Sequence, residues 1–235
     1  MKLTILMYHA VAVPDPGMRH LGNFINPKHF VEQLDLLLEL GYRTISFDDW
    51  LAHRAGRPST APLPAKPLIM TFDDGYLSFD TTAWPALRAR HMGATVFLVA
   101  GQLGGCNAWD ADEVKQPLLD HTRILELQQE GVRFESHTFS HVPLGKVPAD
   151  VALEEMHHAR MAIEGVTGRP VTVLSYPFSN QNRHVRALAR RAGYLAAVCG
   201  KGKTNTERTD PLELRRIKFD YLMPADAVHR VLEQS

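Results

Sequence analysis

The sequence predicts an α/β fold with a mainly parallel sheet. Short apolar runs alternate with longer stretches of helical spacing from one end of the chain to the other, the pattern of strands joined by crossover helices. The 235 residues, 45% hydrophobic and 22% charged, are enough to bury a full core and few enough for one domain. No internal repeat, low-complexity tract or shift in composition marks a boundary, so residues 1–235 are expected to form a single domain.

Taken in order, Leu3 to Met7 reads as the first strand. Tyr8 and His9 end its apolar run before a signal-peptide core would be complete, so a cytoplasmic location is expected. The clearest helix follows, with Asn26 as cap, Pro27 in the first turn, Phe30, Leu34, Leu37 and Leu38 on its apolar face, and Gly41 as terminator. Thr44 to Ser46 is a short strand. Gly56 to Pro67, with Pro58, Pro62 and Pro64 and neither period, is a loop. Leu68 to Phe72, Ala94 to Val99, Val132 to Glu135, Val171 to Ser175, Leu195 to Val198 and Leu214 to Phe219 complete the strands. Helices are expected over Ala83 to His91, Pro117 to Gln129, Pro148 to Gly165, Arg183 to Arg191 and Ala225 to Leu232, and an irregular stretch over Gly101 to Asp112. Periodicity does not decide between a closed barrel and an open sheet.

Composition excludes several classes of function. Lysine plus arginine equals aspartate plus glutamate at 26 each, so no overall field draws the chain to nucleic acid or an anionic membrane. No run reaches the roughly 18 apolar residues of a membrane-spanning helix. Cys106 and Cys199 form no C-x-x-C pair; both read as small buried apolar residues rather than as a disulfide framework or zinc site.

The strongest chemical signal is Thr71-Phe72-Asp73-Asp74-Gly75, where an apolar strand ends in two carboxylates. Strand C-termini are where α/β folds gather active sites. Adjacent strand residues face opposite sides, but a sharp turn at Gly75 would bring both carboxylates to one cleft. Ser46-Phe47-Asp48-Asp49 also puts two aspartates after a strand, and there helix capping is the expectation. The candidate partner of the first pair is His137-Thr138-Phe139-Ser140-His141, also after a buried strand. A helical turn there would point both imidazoles the same way, as two ligands of one metal require. A carboxylate with two histidines makes a facial set that leaves positions open for water and substrate. Among the 12 histidines, His157, His158 and His184 read as solvated helix residues. Trp84, Trp109 and Tyr221 are candidates for stacking on a sugar, with core packing as the alternative.

Together the two segments resemble the polysaccharide deacetylase family, the nodulation-type carbohydrate esterases, whose first motifs read T-F-D-D-G and H-[ST]-x-x-H. Ala94 to Leu98 stands where that family places the intervening strand, and the resemblance spans nearly the whole chain. It implies a distorted (β/α) barrel with about seven parallel strands, one divalent ion held by Asp74, His137 and His141, and Asp73 as general base. The ion implied is zinc, with nickel, cobalt or iron also compatible with the ligand set. The third motif, R-x-P-[FY]-G, falls on Ser175-Tyr176-Pro177-Phe178-Ser179, which lacks the arginine that orients the base and the final glycine. Phe178 keeps the position whose backbone N–H meets the oxyanion, and Tyr76, Tyr176 and Pro177 are expected against the substrate. The fourth motif, D-x-x-x-W, and the fifth, L-x-H, have no counterpart near the C-terminus, where His229 falls in an expected helix. One branch of the family, the biofilm poly-N-acetylglucosamine deacetylases, resembles a circular permutation in which an N-terminal M-Y-H segment carries the acid. Met7-Tyr8-His9 matches it, which makes His9 the expected general acid, acting as an imidazolium on the leaving amine. The partner implied is an N-acetylated saccharide. A related barrel amidohydrolase acting on a cyclic imide or ureide, and a non-catalytic saccharide-binding barrel, are the rival readings.

Overall fold

The computed structural model describes residues 2–57, 62–221, 223, 228 and 232. In chain order its elements are β1 (Lys2–Tyr8), β2 (Ala10–Val11), β3 (Phe24–Ile25), α1 (Pro27–Glu39), β4 (Arg43–Thr44), α2 (Phe47–Arg54), β5 (Pro67–Phe72), α3 (Trp84–Arg88), β6 (Thr95–Leu98) and α4 (His121–Gln129). They continue with β7 (Arg133–Ser136), α5 (Ala149–Thr167), β8 (Val173–Ser175), α6 (Arg183–Arg191), β9 (Ala196–Cys199), β10 (Asn205–Thr206), β11 (Leu214–Arg215) and β12 (Ile217–Lys218).

Local chemistry explains where the helices start. Asn26 Oδ1 accepts the Lys28 amide at 2.9 Å and Pro27 needs no donor, so α1 begins there. Ser46 and Asp49 form a reciprocal capping box that opens α2, so the second Asp-Asp pair is a cap as expected. The helix expected from Pro117 begins only at His121, because Asp120 Oδ1 captures the Arg123 amide at 2.8 Å and sets the cap there. The helix expected over Ala83 to His91 runs over Trp84–Arg88 and is preceded by a wider-wound segment over Phe79–Ala83. The helix expected over Ala225 to Leu232 lies, apart from Val228 and Leu232, outside the described residues, as do residues 58–61 of the expected loop.

The sheet runs in the order β1-β5-β6-β7-β8-β9-β11, parallel at every step, and β12 pairs in parallel with β1. The expected single strand over Leu214 to Phe219 is therefore broken in two. Leu214 and Arg215 pair with Val198 and Cys199, whereas Ile217 and Lys218 pair with Leu6 and Met7. The break falls at Arg216, and by changing partners there the chain closes the sheet into a distorted (β/α) barrel. No single straight strand could satisfy β9 and β1 at once, because each edge offers its hydrogen bonds in a different direction.

Side chains alternate between two apolar layers, as the period of two requires. Leu3, Ile5, Ile69, Phe97, Val173, Ala196, Val198 and Leu214 meet inside the barrel, and Phe47 and Trp50 of α2 join the same cluster. Leu6, Tyr8, Leu68, Met70, Phe72 and Val96 pack outward under helix residues such as Phe30, Leu34, Leu87, Ile124 and Ile163. Because Ile69 faces inward, the alternation carries Thr71 and Asp73 inward after it, towards the open C-terminal end. No helix among the described residues is long and apolar enough to cross a membrane.

Candidate active site

A cleft of about 560 Å³ opens at the C-terminal ends of the strands, lined among others by His9, Asp73, Asp74, His137, His141 and Arg216. That volume lies within the range of roughly 300–1,000 Å³ usual for small-molecule sites. Asp73 arrives by strand alternation. Asp74 would then point outward, but its own backbone takes a left-handed φ of 73° and Gly75 follows at 77°, so the turn begins one residue earlier than expected and both carboxylates enter the cleft. The left-handed φ favours glycine at 75, and a Cβ there would also have to displace Leu98 Cδ2, 2.7 Å away.

His137 and His141 converge by a different route from the expected helical turn. Residues 137–141 form no helix; Thr138 and His141 adopt left-handed φ values of 67° and 64°, and the loop folds back so that the two imidazole rings meet at 4.8 Å. The amides that a helix would bond internally are used elsewhere: Thr138 Oγ1 accepts the His141 N–H at 3.0 Å, and the His137 N–H is donated to the Leu98 carbonyl at 2.8 Å. Left-handed non-glycine residues cost of order 1–3 kcal/mol each and collect at functional sites. Among the described residues, five of the six such positions lie on the loops that build this cleft: Asp74, Thr138, His141, Phe178 and Ser179.

Asp74, His137 and His141 form a group that could hold a metal ion. Each offers a ligand atom within 4.8 Å of the others, and Asp74 Oδ1 lies 3.4 Å from the Nε2 of both histidines. Asp74 Oδ1 is buried without a hydrogen-bond partner, which is costly unless a cation completes it. His137 Nδ1 sits 2.8 Å from the Ser175 carbonyl, which can only accept; the ring is therefore the tautomer whose Nε2 lone pair faces Asp74. Burial lowers the His137 pKa, despite the opposing pull of Asp73, and keeps the ring neutral as a ligand must be. These observations fit a divalent cation.

Asp73 is held by a residue the sequence did not reveal. Arg216 Nη1 and Nη2 donate to its two carboxylate oxygens at 2.6 Å each, and the guanidinium is 1% exposed. Arg216 also donates to Thr71 Oγ1 at 3.1 Å and Ser175 Oγ at 2.9 Å, and lies over the Phe97 ring. Ser175 stands where the third motif has its arginine. Its small side chain leaves room for a guanidinium arriving from the barrel-closing segment, and its hydroxyl donates to Asp73 Oδ2 at 3.2 Å. Burial by itself would raise the Asp73 pKa, but the Arg216 charge and its hydrogen bonds hold the carboxyl well below the usual carboxylate range. The only signal in the sequence is an arginine inside an apolar strand pattern, and Arg215 beside it carries the same signal.

His9 lines the cleft from the C-terminal end of β1, with Nδ1 buried and unpartnered. Burial lowers it to about 4, against the pull of Asp74 and Asp73 and with help from Lys218 and Arg216. An imidazole so lowered is neutral at rest near pH 7. Phe178 is in the cleft wall, 65% exposed, with φ 57° and its ring 4.8 Å from that of His141. Trp109 also packs against His141, at 4.7 Å, whereas Trp84 is buried and donates to Glu130. Tyr176 lines the cleft but commits its hydroxyl to the Leu212 carbonyl, and Pro177 is buried behind it. Tyr76 packs outside the cleft with Ala10, Phe24 and Leu118; burial, then the charge of Asp74, raises its hydroxyl well above the ordinary range.

The family profile of polysaccharide deacetylases matches residues 60–197, which contain the Asp-Asp pair, both histidines and Phe178. The chain belongs to the polysaccharide deacetylase family. This deacetylase-family chain is 25% identical to the "Putative polysaccharide deacetylase YxkH" of Bacillus subtilis (strain 168), over 99% of this chain and 76% of that protein. A shorter stretch of 59 residues, 25% of this chain and 8% of the other, is 46% identical to the poly-β-1,6-N-acetyl-D-glucosamine N-deacetylase of Escherichia coli K12. Its fold is shared with the Streptococcus pyogenes deacetylase PplD solved with acetate, at a TM-score of 0.83, 24% identity, and coverage of 99% of this chain and 98% of that one. IcaB from Ammonifex degensii superposes at 0.78 with 23% identity, covering 98% and 95%.

Proposed function

We propose that the chain is a metal-dependent hydrolase that removes N-acetyl groups from an N-acetylated saccharide. The observation that carries this is the unpartnered, buried Asp74 Oδ1 set between two imidazole Nε2 atoms, beside a second carboxylate clamped by Arg216. Asp74, His137 and His141 would hold the cation, zinc in the first instance. When bound, such an ion polarises a carbonyl and acidifies water.

The remaining work falls to the chain's own groups. Asp73, fixed by two hydrogen bonds from Arg216 and one from Ser175, is the base that takes the proton of the attacking water. A base whose resting pKa is so low is weak, and Arg216 trades basicity for orientation and for full ionisation near pH 7. The Phe178 N–H, carried on a left-handed turn in the cleft wall, meets the oxyanion of the acetyl carbon. His9 begins neutral, takes up the water-derived proton and delivers it to the departing amine nitrogen. The exposed Phe178 ring and Trp109 offer apolar faces on which a pyranose can stack. The saccharide assignment is supported by family membership and by the stretch shared with the E. coli N-deacetylase. Two absences favoured a non-catalytic reading, the third-motif arginine and the fourth motif, and against the first of them stands the Arg216 guanidinium on Asp73.

The test is acetate release from N-acetylglucosamine oligomers of increasing length, with zinc-reconstituted protein. Acetate should appear, stop with a chelator and return with added zinc. Turnover of cyclic ureides without acetate release from any saccharide would sink the proposal.

A further inference from the structure

The loop carrying the two cleft histidines is gripped from outside by a residue with no place in the chemistry above. Glu155, half-buried on the inner side of α5, accepts the Phe139 amide at 3.0 Å and the Ser140 amide at 2.8 Å on Oε2, and the Ser140 hydroxyl at 2.5 Å on Oε1. These amides belong to the residues between the left-handed Thr138 and His141. Backbone in that region persists only where its surroundings over-determine it. From the other side, the Ala100 and Gly101 amides donate to the carbonyls of Thr138 and Phe139 at 3.1 and 2.8 Å. A Cβ on Gly101 would lie 2.7 Å from the Phe139 carbonyl oxygen, so that side is a close backbone contact with no slack. Glu155 supplies the only charged group in this grip, and its neighbours Ala152, Met156 and Ala159 are buried and fix the position of α5.

We propose that Glu155 is a positioning residue for the metal site: by capturing the amides of Phe139 and Ser140 it holds His141 at the spacing from His137 and Asp74 that one cation requires. The three donors satisfy both carboxylate oxygens, and hydrogen bonds to an ionised acceptor are about twice as strong as neutral ones. Without them the turn can relax towards ordinary backbone angles, and His141, at its end, is the ligand that moves. Residues that orient a ligand from behind commonly contribute 10–100-fold to metal affinity. This inference rests on Asp74, His137 and His141 being the metal ligands.

The experiment measures zinc affinity of the full chain by competition with a chromophoric chelator, together with the visible spectrum of the cobalt-loaded form. Glu155→Ala should weaken zinc binding roughly 10–100-fold and change the cobalt bands, with the far-ultraviolet circular dichroism of the metal-free chain retained. Glu155→Gln, which keeps an oxygen acceptor for the amides, should recover most of the affinity. Glu154→Ala, an exposed neighbour on the same helix, should match the wild type. If Glu155→Ala does not fold, Glu155→Asp replaces it, because a carboxylate shorter by one methylene must pull the turn or lose it. Unchanged affinity and cobalt spectrum in the folded variant, or an equal loss in Glu154→Ala, overturns the inference alone. A wild-type chain that takes up neither metal overturns the metal reading and this inference with it.

Discussion

Replacing Arg216 by methionine removes a buried guanidinium while keeping a side chain of similar length in the barrel. The two ions meet through paired bonds of 2.6 Å, and Arg216 is 1% exposed and Asp73 3%. With charge centres about 4 Å apart and an effective dielectric of about 20, their attraction is about 4 kcal/mol. Breaking a buried pair from one side costs a similar 3–5 kcal/mol, because the surviving ion stays buried and uncompensated. The same 4 kcal/mol corresponds to about a thousandfold in the protonation equilibrium of Asp73, so burial, unopposed, drives its pKa upward. The sign is fixed by this direction. In the wild type the depressed Asp73 pKa contributes stability present above the unfolded carboxylate pKa and lost as pH falls. In Arg216→Met that contribution reverses, and stability declines as pH rises through the range where Asp73 must ionise. Urea denaturation of the metal-free wild type, Arg216→Met, Asp73→Asn and the double variant at pH 7 measures the coupling. Arg216→Met should lose about 3–5 kcal/mol, and the double variant should lose well under the sum of the singles. The acidic limb of the acetate-release profile should move to higher pH. Additive losses, or a pH profile that stays in place, would refute the pairing as the device that keeps Asp73 ionised.

Three further outcomes are expected. His9 has a folded pKa of about 4 against 6.5 when exposed, so the unfolded chain binds its proton more readily and stability rises with pH across that window, by up to about 3 kcal/mol; the difference in urea midpoint between pH 4.5 and 7 should shrink in metal-free His9→Gln, and an undiminished difference would remove His9 as its source. Gly75→Ala faces both a φ of 77° and a 2.7 Å approach to Leu98, so it should cost about 1–3 kcal/mol and weaken zinc uptake through Asp74; native affinity in that variant would show that the turn tolerates a side chain. Asp73→Asn should keep its metal by elemental analysis and lose turnover, whereas His141→Ala should lose both; full acetate release by Asp73→Asn would overturn its role as base.

Much of the chemistry was legible along the chain because it lies in two contiguous segments. Thr71 to Gly75 ends a strand whose apolar run and terminal glycine are local facts, and His137 to His141 ends another; parallel neighbours β5, β6 and β7 then bring strand C-termini together whatever the remaining side chains are. The capping reading of Asp49 followed for the same reason, since a cap bonds only to its own first turn. The manner of convergence was not legible. A histidine spacing of four suits a helix, but here Glu155 and Thr138 Oγ1 take the loop's amides while the Ala100 and Gly101 amides take its carbonyls, and the backbone turns through left-handed angles instead.

Arg216 marks the division most sharply. Residue type, charge and strand period are properties of the local sequence, and they sufficed for an α/β chain with a carboxylate and two histidines at strand ends. Which arginine supports Asp73 depends on contacts across 143 positions of sequence, made where the last strand leaves β9 for β1 and closes the barrel. Local pattern has no term for such a contact. The protonation of His9 is of the same kind: an imidazole titrates near 6.5 by nature, and only packing between β1 and the cleft removes the water that would stabilise its charge.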